Sequence, residues 1–179
     1  MRASRCVRVL LVLGMAGALG AACGGPETVT PEQWARSVCQ AIKPWSAEIA
    51  RLQQAAQTKI TAKSDAAQTK TELIRLFGGM AQSTDVALGK VREAGVPDVE
   101  SGEEVARQFV QALTAAKRSF ATGKDAVAAL PTDDPKVFYD GVVQAGAAMS
   151  RENANAGKAF TEISAPELDK AFDEVPECQ

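Results

Sequence analysis

Apolar residues return every three or four positions over four long stretches of this chain, a spacing that suits helices and excludes strands. Leu73, Phe77, Met80, Thr84, Ala87, Val91 and Ala94 form one such row, widened by Ile74, Ala81 and Leu88. Ala106, Phe109, Leu113, Ala116, Phe120, Gly123, Val127 and Leu130 form another. At 3.6 residues per turn each row lies on one face of an α-helix, the face that must be buried. No stretch alternates at period two over the length of a strand, and no internal repeat, glycine-rich phosphate loop or calcium-loop spacing occurs.

Helix punctuation separates the rows. Thr30-Pro31-Glu32-Gln33 predicts a start, with Thr30 as N-cap, Pro31 at the first helical position and Gln33 placed to reach back. Trp34, Val38, Ala41, Trp45, Ile49, Leu52 and Ala56 follow on one stripe, and Pro44 predicts a kink or restart near Lys43. Ser64 or Asp65 caps the second helix, in which Gly78-Gly79 marks either close approach of a neighbour or a hinge. Ser101-Gly102-Glu103-Glu104 reads as a second capping box, with Asp98, Glu100, Glu103 and Glu104 suited to a helix dipole rather than to a metal. Asp134-Pro135 opens the fourth helix, whose early row is Phe138, Val142, Ala145 and Met149. Ser164-Ala165-Pro166-Glu167 reads as a third capping box, opening a short last helix. The fourth row falters at Ser150-Arg151-Glu152-Asn153-Ala154-Asn155, where Glu152 or Asn153 falls at a core position before Ala156, Phe160 and Ile163 resume it. Such a break is either a frayed, solvated segment or a functional site, so Glu152 and Asn153 are candidate contacts. Trp34 and Trp45 are core anchors at helical spacing or, alternatively, a ligand platform.

The chain contains no histidine. That excludes Ser-His-Asp and Cys-His catalysis, His-ligated zinc and the Glu-x-x-His pairs of di-iron bundles. No catalytic residue, cofactor or metal ligand is assigned, and the chain reads as a non-enzyme.

The N-terminus carries Arg2, Arg5 and Arg8, then an uncharged apolar run from Val9 to Leu19, then Ala21-Ala22-Cys23-Gly24-Gly25-Pro26. The run is too short to span a bilayer and has the form of a signal-peptide core. Ala21-Ala22-Cys23 resembles the lipobox of bacterial lipoproteins, with Gly20 where that pattern has Leu and Leu19 one place early. The layout is similar to that of small lipoproteins of actinobacteria of uncharacterised function. The resemblance implies acylation of Cys23 and tethering to the outer face of the cytoplasmic membrane. An ordinary signal peptidase cutting after Gly20-Ala21-Ala22 would instead give a freely secreted protein. On this reading residues 1–22 are a signal peptide, 23–30 a lipid-anchored tether and 31–179 one helical domain.

Removal of the leader takes three of the 20 basic residues and none of the 22 acidic ones, leaving a net charge of about −5. A domain that negative does not bind nucleic acid through bulk charge. With Cys6 discarded and Cys23 acylated, Cys39 and Cys178 remain as a pair, expected to form a disulfide in an oxidising compartment or else to stay as two buried thiols. A bridge there closes a loop of about 140 residues, worth on the order of 4–5 kcal/mol in the chain-entropy picture. It also bears on topology, since in an antiparallel bundle with an even number of helices the end of the chain returns to the pole where Cys39 lies.

The expected architecture is therefore all-α: an up-down-up-down antiparallel four-helix bundle with a short extra C-terminal helix. The expected function is a membrane-tethered binding or accessory module for another envelope protein. The alternatives are a carrier of a small apolar ligand or lipid held between the helices near Trp34, Trp45, Phe77 and Phe109, and an enzyme using carboxylates around Glu152 or Asp140.

Overall fold

A computed structural model describes residues 28–161 and 165–179, without the side chains of Asn153 and of residues 155–161. Cys23, Ser164 and Ile163, together with the side chains of Asn153, Ala156 and Phe160, thus lie outside the described residues. The described chain is all-helical, with five helices and two very short strands. In order these are β1 (Thr28–Val29), α1 (Pro31–Lys59), α2 (Ala66–Glu93), β2 (Val96–Pro97), α3 (Gly102–Ala129), α4 (Pro135–Thr161) and α5 (Pro166–Glu174), followed by a 3-10 turn, Pro176–Cys178.

Local signals account for three of the helix starts. Thr30 Oγ1 accepts from the Gln33 N–H at 3.3 Å while Gln33 Oε1 accepts from the Thr30 N–H at 3.4 Å. Asp65 and Gln68 make the same reciprocal pair at 2.7 and 3.2 Å. Asp134 Oδ1 accepts from the N–H groups of Lys136 and Val137. In each case a side chain satisfies donors that the first helical turn leaves free.

One expected cap is absent. Ser101 stands before α3 in the left-handed region (φ 61°, ψ 21°) and makes no capping bond. The turn is set instead by Gly102 N–H donating to Val99 O and by β2, while Glu104 bonds Gln108 and Arg107 rather than reaching back. α5 begins after Ala165, which offers no side-chain acceptor, and the cap expected at Ser164 lies outside the described residues.

Nor does Pro44 divide α1, which runs through it without interruption. A proline inside a helix costs about 3 kcal/mol. Here Pro44 is exposed, and the helix is held on both sides of it by buried Ala41 and by Trp45, whose indole N–H donates to Thr84 Oγ1 at 2.9 Å.

β1 and β2 pair in parallel, Thr28 with Val96 and Val29 with Pro97. Two residues are too few to show a period, so this pairing is invisible in the sequence. Thr28 and Val29, read there as tether, are held in the fold: Val29 O accepts from the Asp98 N–H at 2.8 Å and Val29 packs against the buried cluster that includes Trp34.

Successive helices lie side by side, α1 on α2, α2 on α3 and α3 on α4, while α5 and the final turn pack on α1. The glycines mark the closest seams. A methyl group on Gly79 would stand 2.9 Å from Leu52 of α1, and one on Gly123 would overlap the sulfur of Met149 of α4. Close approach, the first of the two readings of Gly78-Gly79, is what Gly79 provides. The core is densest near the start of α1, where Trp34, Val38, Ala94, Val105, Ala165 and Leu168 cluster. A second cluster of Ala41, Leu88, Val91 and Leu113 lies further along.

Cys39 and Cys178 form a disulfide with 5.2 Å between their Cα atoms, across 139 residues of sequence. The chain reaches Cys39 by way of α5 and the 3-10 turn, both of which lie against α1.

Candidate functional site

The residues singled out by sequence fall in different places. Trp34 is fully buried; its indole N–H donates to Gly95 O at 3.2 Å, and its ring meets Phe109 edge-on at 5.0 Å and Phe172 at 6.0 Å. A ring so enclosed by three elements is a packing anchor, since a fully satisfied indole has no free face for a ligand. Trp45 is half-buried beside the second cluster and tied to Thr84, which is itself fully buried and donates to Met80 O at 2.7 Å. The two tryptophans therefore join different helix pairs and do not make one platform.

Of the two readings of the polar run in α4, the solvated one holds for Arg151 and Glu152, while the side chain of Asn153 lies outside the described residues. The helix continues unbroken from Pro135 to Thr161, and Arg151 and Glu152 stand in solvent on it. α4 packs chiefly on α3, so much of its circumference faces water and accepts a polar run at no cost. Asp140, the other carboxylate considered, is exposed and pairs with Lys136 at 2.6 Å.

Ionisation states follow from surface contacts. Hydrogen bonding to its own backbone N–H, then to the Thr30 hydroxyl, holds Glu32 below the ordinary carboxylate range, with Lys170 adding a smaller attraction. The Arg51 side chain, bonded at 2.7 and 2.6 Å, does the same for Glu48, and the guanidinium of Arg51 is raised in turn. These groups cap or stiffen α1 and do not converge on a cleft. Among the described residues no three acids or cysteines are grouped to hold a metal ion, and no helix is long and apolar enough to cross a membrane.

One concavity does combine charge with an apolar floor. A groove of about 570 Å³ lies between the end of α2 and the first turns of α3. Arg92, Glu93, Glu103 and Arg107 line it together with Val96, Ala106 and Val110. Arg107 is held by Glu104 on the preceding turn, which aims its stem along the helix. The groove suits an amphipathic segment with both signs of charge at its edges. Sequence reasoning missed it. Glu103, Ala106, Arg107 and Val110 do share a face at spacings of three and four, but Arg92 and Val96 reach that face only because the turn between α2 and α3 folds back.

Comparison with protein-family profiles, with characterised proteins and with solved structures finds no match for this chain.

Proposed function

We propose that this protein is a membrane-tethered helical binding module of the cell envelope, held at the outer face of the cytoplasmic membrane by a lipid on Cys23 and acting on a protein partner without catalysis. The observation that carries the reading is the pinning of β1 on β2. Thr28 lies five positions after Cys23, a reach of at most about 17 Å. A lipid on Cys23 therefore sets the α2–α3 turn, with the groove beside Val96, close to the bilayer surface. The groove between Arg92 and Arg107 is then the first surface that a neighbouring envelope protein meets.

The reading includes an up-down-up-down, antiparallel course for α1 to α4, with α5 appended. Its support is the order of contacts, which climb one helix as they descend the next. Trp34 meets Gly95, Trp45 meets Thr84 and Lys59 meets Glu72. Asp85 meets Lys117 and Lys70 meets Leu130, then Ser119 meets Met149 and Gly141 meets Leu130. The ligand-carrier alternative draws no support from Trp34, which is enclosed by protein.

Two measurements test the proposal. Intact mass of the membrane-extracted protein should show acylation, lost together with membrane retention in Cys23→Ala. A photo-crosslinking residue replacing Val110 should capture one defined envelope protein, while the same residue replacing exposed Val143 on α4 should not. An unacylated, freely soluble wild-type protein would refute the anchor, and equal capture at both positions would refute the groove.

A further inference from the structure

Residues 165–179 lie as a strap along the first turns of α1. Within it Leu168, Ala171, Phe172 and Val175 recur at i, i+3, i+4 and i+7, the spacing of a single apolar stripe. Leu168, Ala171 and Val175 are buried. Phe172 meets Trp34 edge-on and stacks on Phe109 at 6.5 Å. Beneath the strap lie Trp34, Ala35 and Val38 of α1 and Val105 of α3, all buried. The opposite side of the strap carries four acids, Glu167, Asp169, Asp173 and Glu174, and one base, Lys170, all exposed. It is an acidic amphipathic helix seated in an apolar groove.

This helix is ordered from outside itself. Nine residues are too few to hold a helix in water, and the helix starts without a side-chain cap. Its ties to α1 include two polar contacts at the surface, Arg36 with Glu177 at 3.1 Å and Lys43 with the terminal carbonyl of Gln179. Such exposed pairs contribute little. The covalent tie is the 39–178 disulfide, between two half-buried cysteines. The cluster of Ala41, Leu88, Val91 and Leu113, and the Trp45–Thr84 bond, include no strap residue. The body of the fold thus has a core of its own.

We infer that residues 165–179 are a thiol-controlled cover over a helix-receiving groove. Reduction of the 39–178 disulfide releases the strap, and the groove of Trp34, Val38 and Val105 then accepts an amphipathic helix of the strap's own pattern. The reductant is a dithiol. Its thiolate attacks one sulfur of the cystine and expels the other as a thiolate; its second thiol then displaces the protein from the mixed disulfide. Cys39 and Cys178 end as two thiols and the dithiol as its disulfide, a transfer of two electrons and two protons. The occupant is an apolar stripe backed by carboxylates, because Arg36 and Lys43 stand at the rim.

The test uses the full chain, in which Trp45, bonded to Thr84 and away from the strap, gives a constant background to the Trp34 signal. Dithiothreitol should release two thiols, shift the Trp34 emission to the red and open it to acrylamide, while the far-UV helical signal falls only by the strap's share. A fluorescent synthetic peptide of residues 165–179 with Cys178→Ser should bind the reduced protein at least about tenfold more tightly than the oxidised one, since apparent affinity scales with the fraction of open groove. Cys178→Ser in the full chain should behave as the reduced protein does without any reductant. Three results overturn the inference: Trp34 emission unchanged once both thiols titrate, loss of most helical signal on reduction or failure of Cys178→Ser to fold, and equal peptide binding in the two states.

Discussion

The bond between Trp45 and Thr84 allows a quantitative test of what joins α1 to α2. The indole N–H donates to Thr84 Oγ1 at 2.9 Å, and the hydroxyl donates to Met80 O at 2.7 Å. The threonine oxygen therefore spends its hydrogen on its own helix and turns a lone pair toward α1. Thr84 is fully buried, so water cannot replace the indole. Trp45→Phe removes the donor and strands a buried acceptor, a loss of about 1–3 kcal/mol for the unsatisfied group, plus the packing of the lost ring atoms. Thr84→Val keeps the shape of the side chain but leaves the half-buried indole N–H without a partner, costing roughly 1–2 kcal/mol. In the double variant both polar halves are gone. Its destabilisation should fall short of the sum of the single changes by about 1 kcal/mol, the coupling of one partly buried hydrogen bond. Against a total stability of about 5–15 kcal/mol for a domain of this kind, the effect is measurable. Urea unfolding of the oxidised protein, followed by far-UV circular dichroism, supplies the four free energies. Additivity to within about 0.3–0.5 kcal/mol would mean that the bond contributes nothing to the seam, and the reasoning would fail.

Other expectations test single features of the fold. Ser101→Gly should stabilise the protein by about 1 kcal/mol, because φ 61° costs an L-residue what glycine does not pay; no rise in the urea midpoint would contradict that. Gly123→Ala should cost about 1–3 kcal/mol despite the better helix propensity of alanine, since the new methyl meets the Met149 sulfur, and adding Met149→Ala should recover part of the loss. Glu48 is held below its ordinary value of 4.5 in the folded state, so its pairing with Arg51 adds stability above that value and loses it as pH falls through the depressed folded value. Glu48→Gln should accordingly flatten the pH dependence of unfolding between about pH 5 and the acid limb, by a small amount because both groups are exposed, and an unchanged slope would show the pair to be inert.

Much of the helical plan was written locally. Thr30, Asp65 and Asp134 end their loops with side-chain acceptors that need only the next two or three residues to act, so each start could be read from the sequence. The long apolar rows of α2 and α3 hold because a helix face repeats regardless of what lies opposite. The Cys39–Cys178 pairing followed once the leader was set aside, and the disulfide is present. The candidate groove was not legible, for Arg92 and Val96 join Ala106, Arg107 and Val110 only through the fold of the turn between α2 and α3.

Period and capping chemistry, which act over one or two turns, settled in the chain itself that it is helical and where most helices begin. Contacts between distant residues decided the rest. Pro44 stays inside α1 because α2 holds the helix on either side of it, Ser101 takes the left-handed region in a turn that follows a strand pair between Thr28 and Val96, far apart in sequence, and α5 is a helix only where α1 receives it. In each case the local cost is a few kcal/mol at most, small enough for tertiary packing to override and too context-dependent for sequence to announce.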